Sequence, residues 1–354
     1  MHSEAIISAI RLIRSESIGP RTYFALMEKH GSAKNAVAAL EEIGRETFSM
    51  AAAESELELA GKAGIITLTH KDENYPPQLL NIYDPPPVIF CLGNLELLKR
   101  KSVGIVGTRN ASANGVAITR NFAHELAQNG TIIISGLARG IDTEAHKASL
   151  GTGTIAVVAG GIDKVYPPEN LKLFQDIAAN GLIISENPLG ITAQSRHFPQ
   201  RNRIIAGLSE GVLVVEAARK SGSMITAAFA RREGRPVFAV PGSPLDPRSS
   251  GTNYLLKTGA VFVENATDIL NNLHPVPPQP KLFEEELQYL GEVLETPESL
   301  RDRIIAKLSH SPTSVDEVIQ QSGASAAHVN EILLELEMNG RITRQYGNKV
   351  ALAA

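Results

Sequence analysis

Tryptophan is absent from the 354-residue chain, and there is a single cysteine, Cys91. One cysteine excludes an internal disulfide framework and any zinc site built on several cysteines. It also fits a reducing compartment, so a cytosolic location is expected. Aromatic residues make up 5% of the chain, too few for extensive stacking along single-stranded bases. No apolar run reaches the ~18–20 residues that span a bilayer. The opening MHSEAIISAIRLIRSES has charges on both sides of a short apolar stretch and no small-residue cleavage site, so no leader peptide is expected. Two nucleotide signatures are also missing. Gly104-Ile105-Val106-Gly107-Thr108-Arg109 does not fit G-x-G-x-x-G, and there is no Walker A lysine. NAD chemistry and ATP hydrolysis therefore lose ground, and no cofactor is expected.

What is present is ordinary for a soluble globular chain: 43% apolar and 20% charged residues and a mean hydropathy of −0.04. At roughly 100–200 residues per domain, two or three domains are expected. The net charge of −4 argues against a surface coated in positive charge, although a local basic patch remains compatible with nucleic acid.

Residues 1–64 read as short helices broken at Ser17-Ile18-Gly19-Pro20 and Gly31-Ser32, a SAM-like or helix-hairpin-helix module. Pro20 removes one amide that such a turn would offer a phosphate, which favours a structural role. Residues 65–101 read as a connector with two short strands, Ile65–Thr69 and Val88–Leu92, around Asp84-Pro85-Pro86-Pro87. In residues 102–272, seven runs rich in Val, Ile, Leu and Ala alternate with helical stretches, beginning at Val103–Val106 and ending at Ala260–Val263. Runs of this kind read as strands buried on both faces. Their alternation with helices predicts an α/β core, a doubly wound, mostly parallel, Rossmann-like sheet. Residues 273–295 are a proline-rich and acidic linker. Residues 296–354 read as a winged helix with a long helix at Ala326–Asn339 and a hairpin turning at Gly347-Asn348.

Open α/β sheets bind ligands beyond the carboxyl ends of their strands. The residues in those positions are glycines, small polar residues and cations: Gly107, Thr108 and Arg109, then Gly136, Gly161, and Lys220, Ser221, Gly222 and Ser223. Glycine permits close backbone approach, and turn amides with arginine suit phosphate. Residues 196–235 add eight Lys or Arg against three acids, an excess of five positive charges. Asp142 and His146, four apart on one helix, are expected to be an N-cap and a hydrogen-bonded structural histidine rather than a metal pair. Glu186 and Glu216 are expected to pair with Arg201 or Arg203 rather than to form a hydrolytic dyad.

GTRNASANG, SGLARGIDTEAH, GGIDKVYPPEN, FPQRNRIIAGLS, EAARKSGSMITA and FAVPG occur in this order. The series resembles the DNA-processing protein A family, also called Smf. The resemblance implies a non-enzymatic cytoplasmic protein that binds single-stranded DNA during natural transformation, protects it, and helps load the RecA recombinase. It implies a basic DNA pocket at Arg109, Lys172, Phe198, Arg201, Asn202, Arg203 and Ser221–Ser223, and a homodimer formed through the core near residues 251–270. The terminal helix carries Glu331, Glu335 and Glu337 and neither Lys nor Arg. That pattern is a poor reader of phosphates and favours protein interaction over sequence-specific DNA binding. The main rival reading is a nucleotide-processing enzyme, a phosphoribohydrolase or lysine-decarboxylase-like protein. Such enzymes use a Pro-Gly-Gly-x-Gly-Thr motif, which this chain lacks.

Overall fold

The computed structural model describes residues 2–279 and, toward the C-terminus, 304–305, 308, 312–322, 326–338 and 340–353. These fall in two compact units divided near residue 290. Most of the expected linker, from residue 280 on, and the start of the expected winged helix lie outside the described residues.

Four helices open the first unit: α1 His2–Arg14, α2 Pro20–His30, α3 Ala33–Glu42 and α4 Met50–Lys62. Their breaks follow local chemistry. Gly31 ends α2 at φ 76, and Ser32 and Ser49 cap α3 and α4 by accepting the amides of Asn35 and Ala52. The apolar faces, with Ile6, Ile10, Tyr23, Val37 and Leu40, are buried in one cluster that continues into sheet residues Val88, Phe90, Ala156 and Ile183. The helical module therefore packs on the sheet.

The sheet has nine strands in the order β1-β2-β6-β5-β4-β3-β7-β8-β9. These are β1 Ile66–Thr69, β2 Val88–Gly93, β3 Ser102–Val106, β4 Ile132–Ser135, β5 Thr154–Val157, β6 Leu182–Ser185, β7 Gly211–Val214, β8 Val237–Ala239 and β9 Val261–Phe262. From β3 to β9 every pairing is parallel. The stretch read as a connector supplies β1 and β2, which extend the sheet beyond β6: β2 pairs antiparallel with β6, and β1 antiparallel with β2. The helices that flank it are α5 Pro77–Leu80, α6 Ala113–Gln128, α7 Ile141–Ser149, α8 Leu171–Asn180, α9 His197–Leu208, α10 Gly222–Arg232, α11 Ser250–Lys257 and α12 Ala266–Asn271. Strands β3 to β7 are buried at every residue, which accounts for their unbroken apolar runs. Chain order runs outward from β3 in both directions, so the crevice of the doubly wound sheet opens at the carboxyl end of β3.

In the second unit, α13 Val315–Ser322 and α14 Ala326–Met338 accompany a three-stranded sheet. Its strands are β10 Thr313–Ser314, β11 Ile342–Gln345 and β12 Lys349–Leu352, in the order β10-β12-β11. The hairpin turns with Gly347 and Asn348 both at positive φ, as a glycine–asparagine pair permits. Val318, Val329, Leu333, Leu336, Ile342 and Val350 form its core. Among the helix acids, Glu337 pairs with Arg344 at 3.0 Å.

Candidate nucleic-acid interface

At the mouth of β3 the loop amides are already used. Thr108 N donates to Glu216 O at 2.7 Å, and Ile141 N donates to Thr108 O. A Cβ at Gly107 would lie 2.5 Å from Ile141, so packing demands the glycine. Ser112 caps α6, and the Glu216 carboxylate accepts both its backbone N–H, at 2.9 Å, and its hydroxyl. A Cβ at Gly115 would come within 2.5 Å of the same carboxylate. The helix N-terminus that cradles pyrophosphate in dinucleotide folds is thus filled by the protein's own anion. Glu216 takes its hydrogen bonds from Ser112 rather than from either arginine. Glu186 does pair with Arg203.

The β4 loop is braced from beneath. Asp142 Oδ2 accepts the amides of Gly136 at 3.1 Å and Ala138 at 3.3 Å. Thr143 donates to Ala138 O, and Asn170 donates to Leu137 O at 2.8 Å, which holds Leu137 at φ 57. Arg201, buried on α9, donates to the carbonyls of Gly136 and Val157 and so ties the ends of β4 and β5 together. Burial pulls its pKa down to about 10, which leaves it charged at neutral pH.

These contacts correct the expected site. Gly107, Thr108, Gly136 and Gly161 offer no open amide cradle: Gly161 N donates to Ile191 O, and a Cβ there would strike the carbonyl of Pro188. Arg203 is buried between Glu186 and Asp84. Asn202 accepts from Arg201 and donates to Gly222 O. These six residues and Arg201 are engaged within the scaffold. Lys172 stands exposed on α8, paired with Asp176 at 2.7 Å, away from the cleft lining. The basic segment is also largely spent inside the protein. Arg231 donates to Leu255 O and Thr258 Oγ1, and Arg232 pairs with Asp84 and Glu233.

Three of the expected residues, Arg109, Gly136 and Phe198, do meet. They line a cleft of about 250 Å³ with Arg139, Tyr166, Pro167, Pro168 and Glu169. The Arg109 guanidinium carbon lies 5.1 Å from the centroid of Phe198. Tyr166, next to a cis Tyr166–Pro167 bond, sets its ring 5.6 Å from Phe198 at 58°. Arg139 sits 3.7 Å from Glu169 and stays half exposed. Arginine beside aromatic faces, open to solvent, suits a ligand that carries both phosphates and flat rings. Arg139 and Tyr166 are the lining residues missed as site candidates. Both stand in strand-end loops, and that placement was the signal that could have found them. Lys220, Ser221, Gly222 and Ser223 follow β7, the neighbour of β3. A Cβ at Gly222 would meet nothing within 4 Å, so its outer side is open. A groove of about 440 Å³ lies at the opposite end of the sheet, but it mixes Lys99, Lys101 and Arg235 with Glu73 and Glu210.

His146 and Asp142 both face inward. His146 Nδ1 is 2.9 Å from Thr154 Oγ1, and burial pulls its pKa down to about 3. An unfolded histidine titrates near ~6.5. The native state therefore resists protonation: this contribution to stability is complete above pH ~6.5 and is lost as pH falls toward 3. Burial moves His70 and His197 in the same direction. Denaturation between pH 7 and 5 is expected to show a loss of up to ~1.4 kcal/mol per pH unit from His146. His146→Gln is expected to flatten the curve, and an unchanged slope in that variant would assign the loss to other groups.

Comparison with known proteins matches three segments of the chain. The family model for DNA recombination-mediator protein A matches residues 66–274. The DprA-like N-terminal HHH domain matches residues 3–58 and the DprA winged helix domain residues 292–348. DNA processing protein DprA of Bacillus subtilis is 43% identical over 248 residues, covering 66% of this chain and 84% of its own. Protein Smf of Synechocystis is 37% identical over 311 residues, covering 79% of this chain and 78% of its own. The X-ray structure of DprA from Streptococcus pneumoniae superposes with a TM-score of 0.59 at 37% identity, over 67% of this chain and 91% of that one. A Helicobacter pylori DNA processing protein A structure, titled for its single-stranded DNA binding mode, gives 0.55 at 36% identity, over 59% and 95%. A core model that matches more than half of the chain, with both flanking modules in their places, makes this protein a member of the DNA recombination-mediator protein A family.

Proposed function

We propose that this protein binds single-stranded DNA in the cleft at the carboxyl end of β3 and β4, and holds it without chemical turnover. The observation that carries the reading is Arg109 stacked on Phe198, with Arg139 and Tyr166 lining the same cleft. The single-stranded DNA binding mode for which the Helicobacter pylori structure is named supports it. In this reading the protein acts in the cytosol during DNA uptake, shields incoming strands, and helps load the RecA recombinase. It works as a homodimer that pairs through the core near residues 251–270. The engagement of Glu216 by Ser112 argues against the rival nucleotide-processing enzyme, which needs a glutamate free to meet its substrate.

Gel-shift titration with single- and double-stranded oligonucleotides of one sequence tests the proposal. Single strands are expected to bind more tightly, since a duplex hides its ring faces in the stack. Equal or tighter duplex binding would overturn it. Removing residues 296–354 is expected to leave single-strand affinity within a few-fold, because α14 carries no cation and Arg344 of the hairpin is engaged by Glu337. A hundredfold loss would make the terminal unit a principal DNA-binding element.

A further inference from the structure

One wall of the Arg109–Phe198 cleft is acidic. Glu169 lines it beside Arg139, Tyr166, Pro168 and Phe198. A carboxylate is a cost in a cleft that receives phosphates, because like charges brought together repel. Pairing does not account for it. The contact with Arg139 is 3.7 Å long and both side chains are about half exposed. Glu169 makes no other polar contact among the described residues. Its place is nevertheless fixed. It sits in a single turn, Pro168–Asn170. Pro167 and Pro168 set φ on one side. On the other, Asn170 donates to Leu137 O at 2.8 Å and to Thr143 Oγ1 at 2.9 Å. The cleft holds about 250 Å³, below the ~300–1,000 Å³ of drug-sized sites, so a base lodged in it has every wall within reach.

The geometry points to Glu169 as the residue that selects the base in this cleft, and to guanine as the base selected. The inference rests on the reading of the cleft as the DNA site. Among the DNA bases, only guanine has two adjacent donors, N1–H and the 2-amino group, pointing the same way from one edge. The two oxygens of a carboxylate accept such a pair in register. Adenine and cytosine set a ring-nitrogen acceptor beside their amino group, and thymine flanks its N–H with two carbonyls. Each of these would turn an acceptor toward Glu169. Arg109 remains for the phosphate, and the Phe198 and Tyr166 rings for the face of the base.

The test uses the full-length chain and four oligonucleotides of about 12 nucleotides: all thymine, or thymine alternating with guanine, hypoxanthine or adenine. Wild type is expected to bind the guanine repeat about 10-fold more tightly than all-thymine, the scale of one bidentate base contact. Hypoxanthine, which lacks only the 2-amino group, should fall between them, and adenine close to thymine. Glu169→Gln keeps the size and loses the charge. It is expected to remove most of the guanine preference while binding all-thymine at least as tightly as wild type. Glu169 is exposed, so the variant's melting temperature should match wild type. A guanine preference that survives in Glu169→Gln, with all four affinities raised together, would reduce Glu169 to a counter-charge for Arg139 and overturn the inference. An adenine repeat as tight as the guanine repeat would assign the preference to purine stacking and overturn it as well. Arg109→Ala separates this from the parent reading. If wild type binds all four equally and Arg109→Ala weakens all four, only the base selection fails. If Arg109→Ala binds all four as wild type does, the cleft reading fails and the inference with it.

Discussion

Arg203→Met is expected to destabilise the first unit by about 2–4 kcal/mol, while the folded fraction still binds single-stranded DNA with wild-type affinity. Arg203 is buried on α9, paired with Glu186 and with Asp84 at 3.3 Å. Breaking a buried pair costs roughly 3–5 kcal/mol, because the partner's charge is left behind in a poorly solvated site. The expected loss is lower here. Asp84 keeps Arg232 at 2.7 Å, and both acids retain some exposure to water. Glu186 bears most of the cost. Its own backbone carbonyl accepts from Arg14 of α1, so the helical module should loosen with it. Urea unfolding followed by circular dichroism gives the stability, and titration at low denaturant gives the affinity. A variant of native stability that no longer binds DNA would return Arg203 to the ligand surface.

Arg203 also marks where the amino-acid pattern stops being informative. Arg201 and Arg203 precede Ile204-Ile205-Ala206, so a solvated helix face explains them poorly. Sequence cannot show whether a buried arginine meets a ligand or a carbonyl. Here Arg201 reaches two strand ends and Arg203 two acids, and those partners lie 17 to 119 positions away in the chain. The same limit applied to the glycines: Gly107 and Gly161 read as phosphate cradles until Ile141 and the carbonyl of Pro188 are found pressed against them. The parallel core strands were legible because burial on both faces leaves a one-dimensional signature. The sheet membership of β1 and β2 was not, since β2 pairs with β6, some ninety residues further along. Arg109 was legible from the fold rule alone, as the first residue with a long cationic side chain beyond the central strand.

Loss of both cleft arginines, Arg109→Ala with Arg139→Ala, is expected to weaken single-strand binding by about 2–4 kcal/mol, or roughly 30- to 1,000-fold. Each arginine offers charge-assisted hydrogen bonds to a phosphate, worth about 1–2 kcal/mol apiece because neither is buried and solvent screens them. The melting temperature should stay close to wild type. Arg109 has no carboxylate partner among the described residues, and Arg139 has only the long contact to Glu169. Phe198→Ala should cost less, about 1–3 kcal/mol, the scale of one stacked base. A double variant that binds normally would move the DNA path away from this cleft.

The salt dependence of single-stranded DNA affinity, measured side by side for wild type and Arg109→Ala, tests the cleft most directly. Each phosphate neutralised contributes about −0.7 to the log–log slope on a single strand. Wild type is expected to show a steep slope, and Arg109→Ala a slope shallower by about 0.7, with weaker binding and an unchanged unfolding midpoint. A variant with normal stability, normal affinity and the wild-type slope would contradict the account and take Arg109 out of the site.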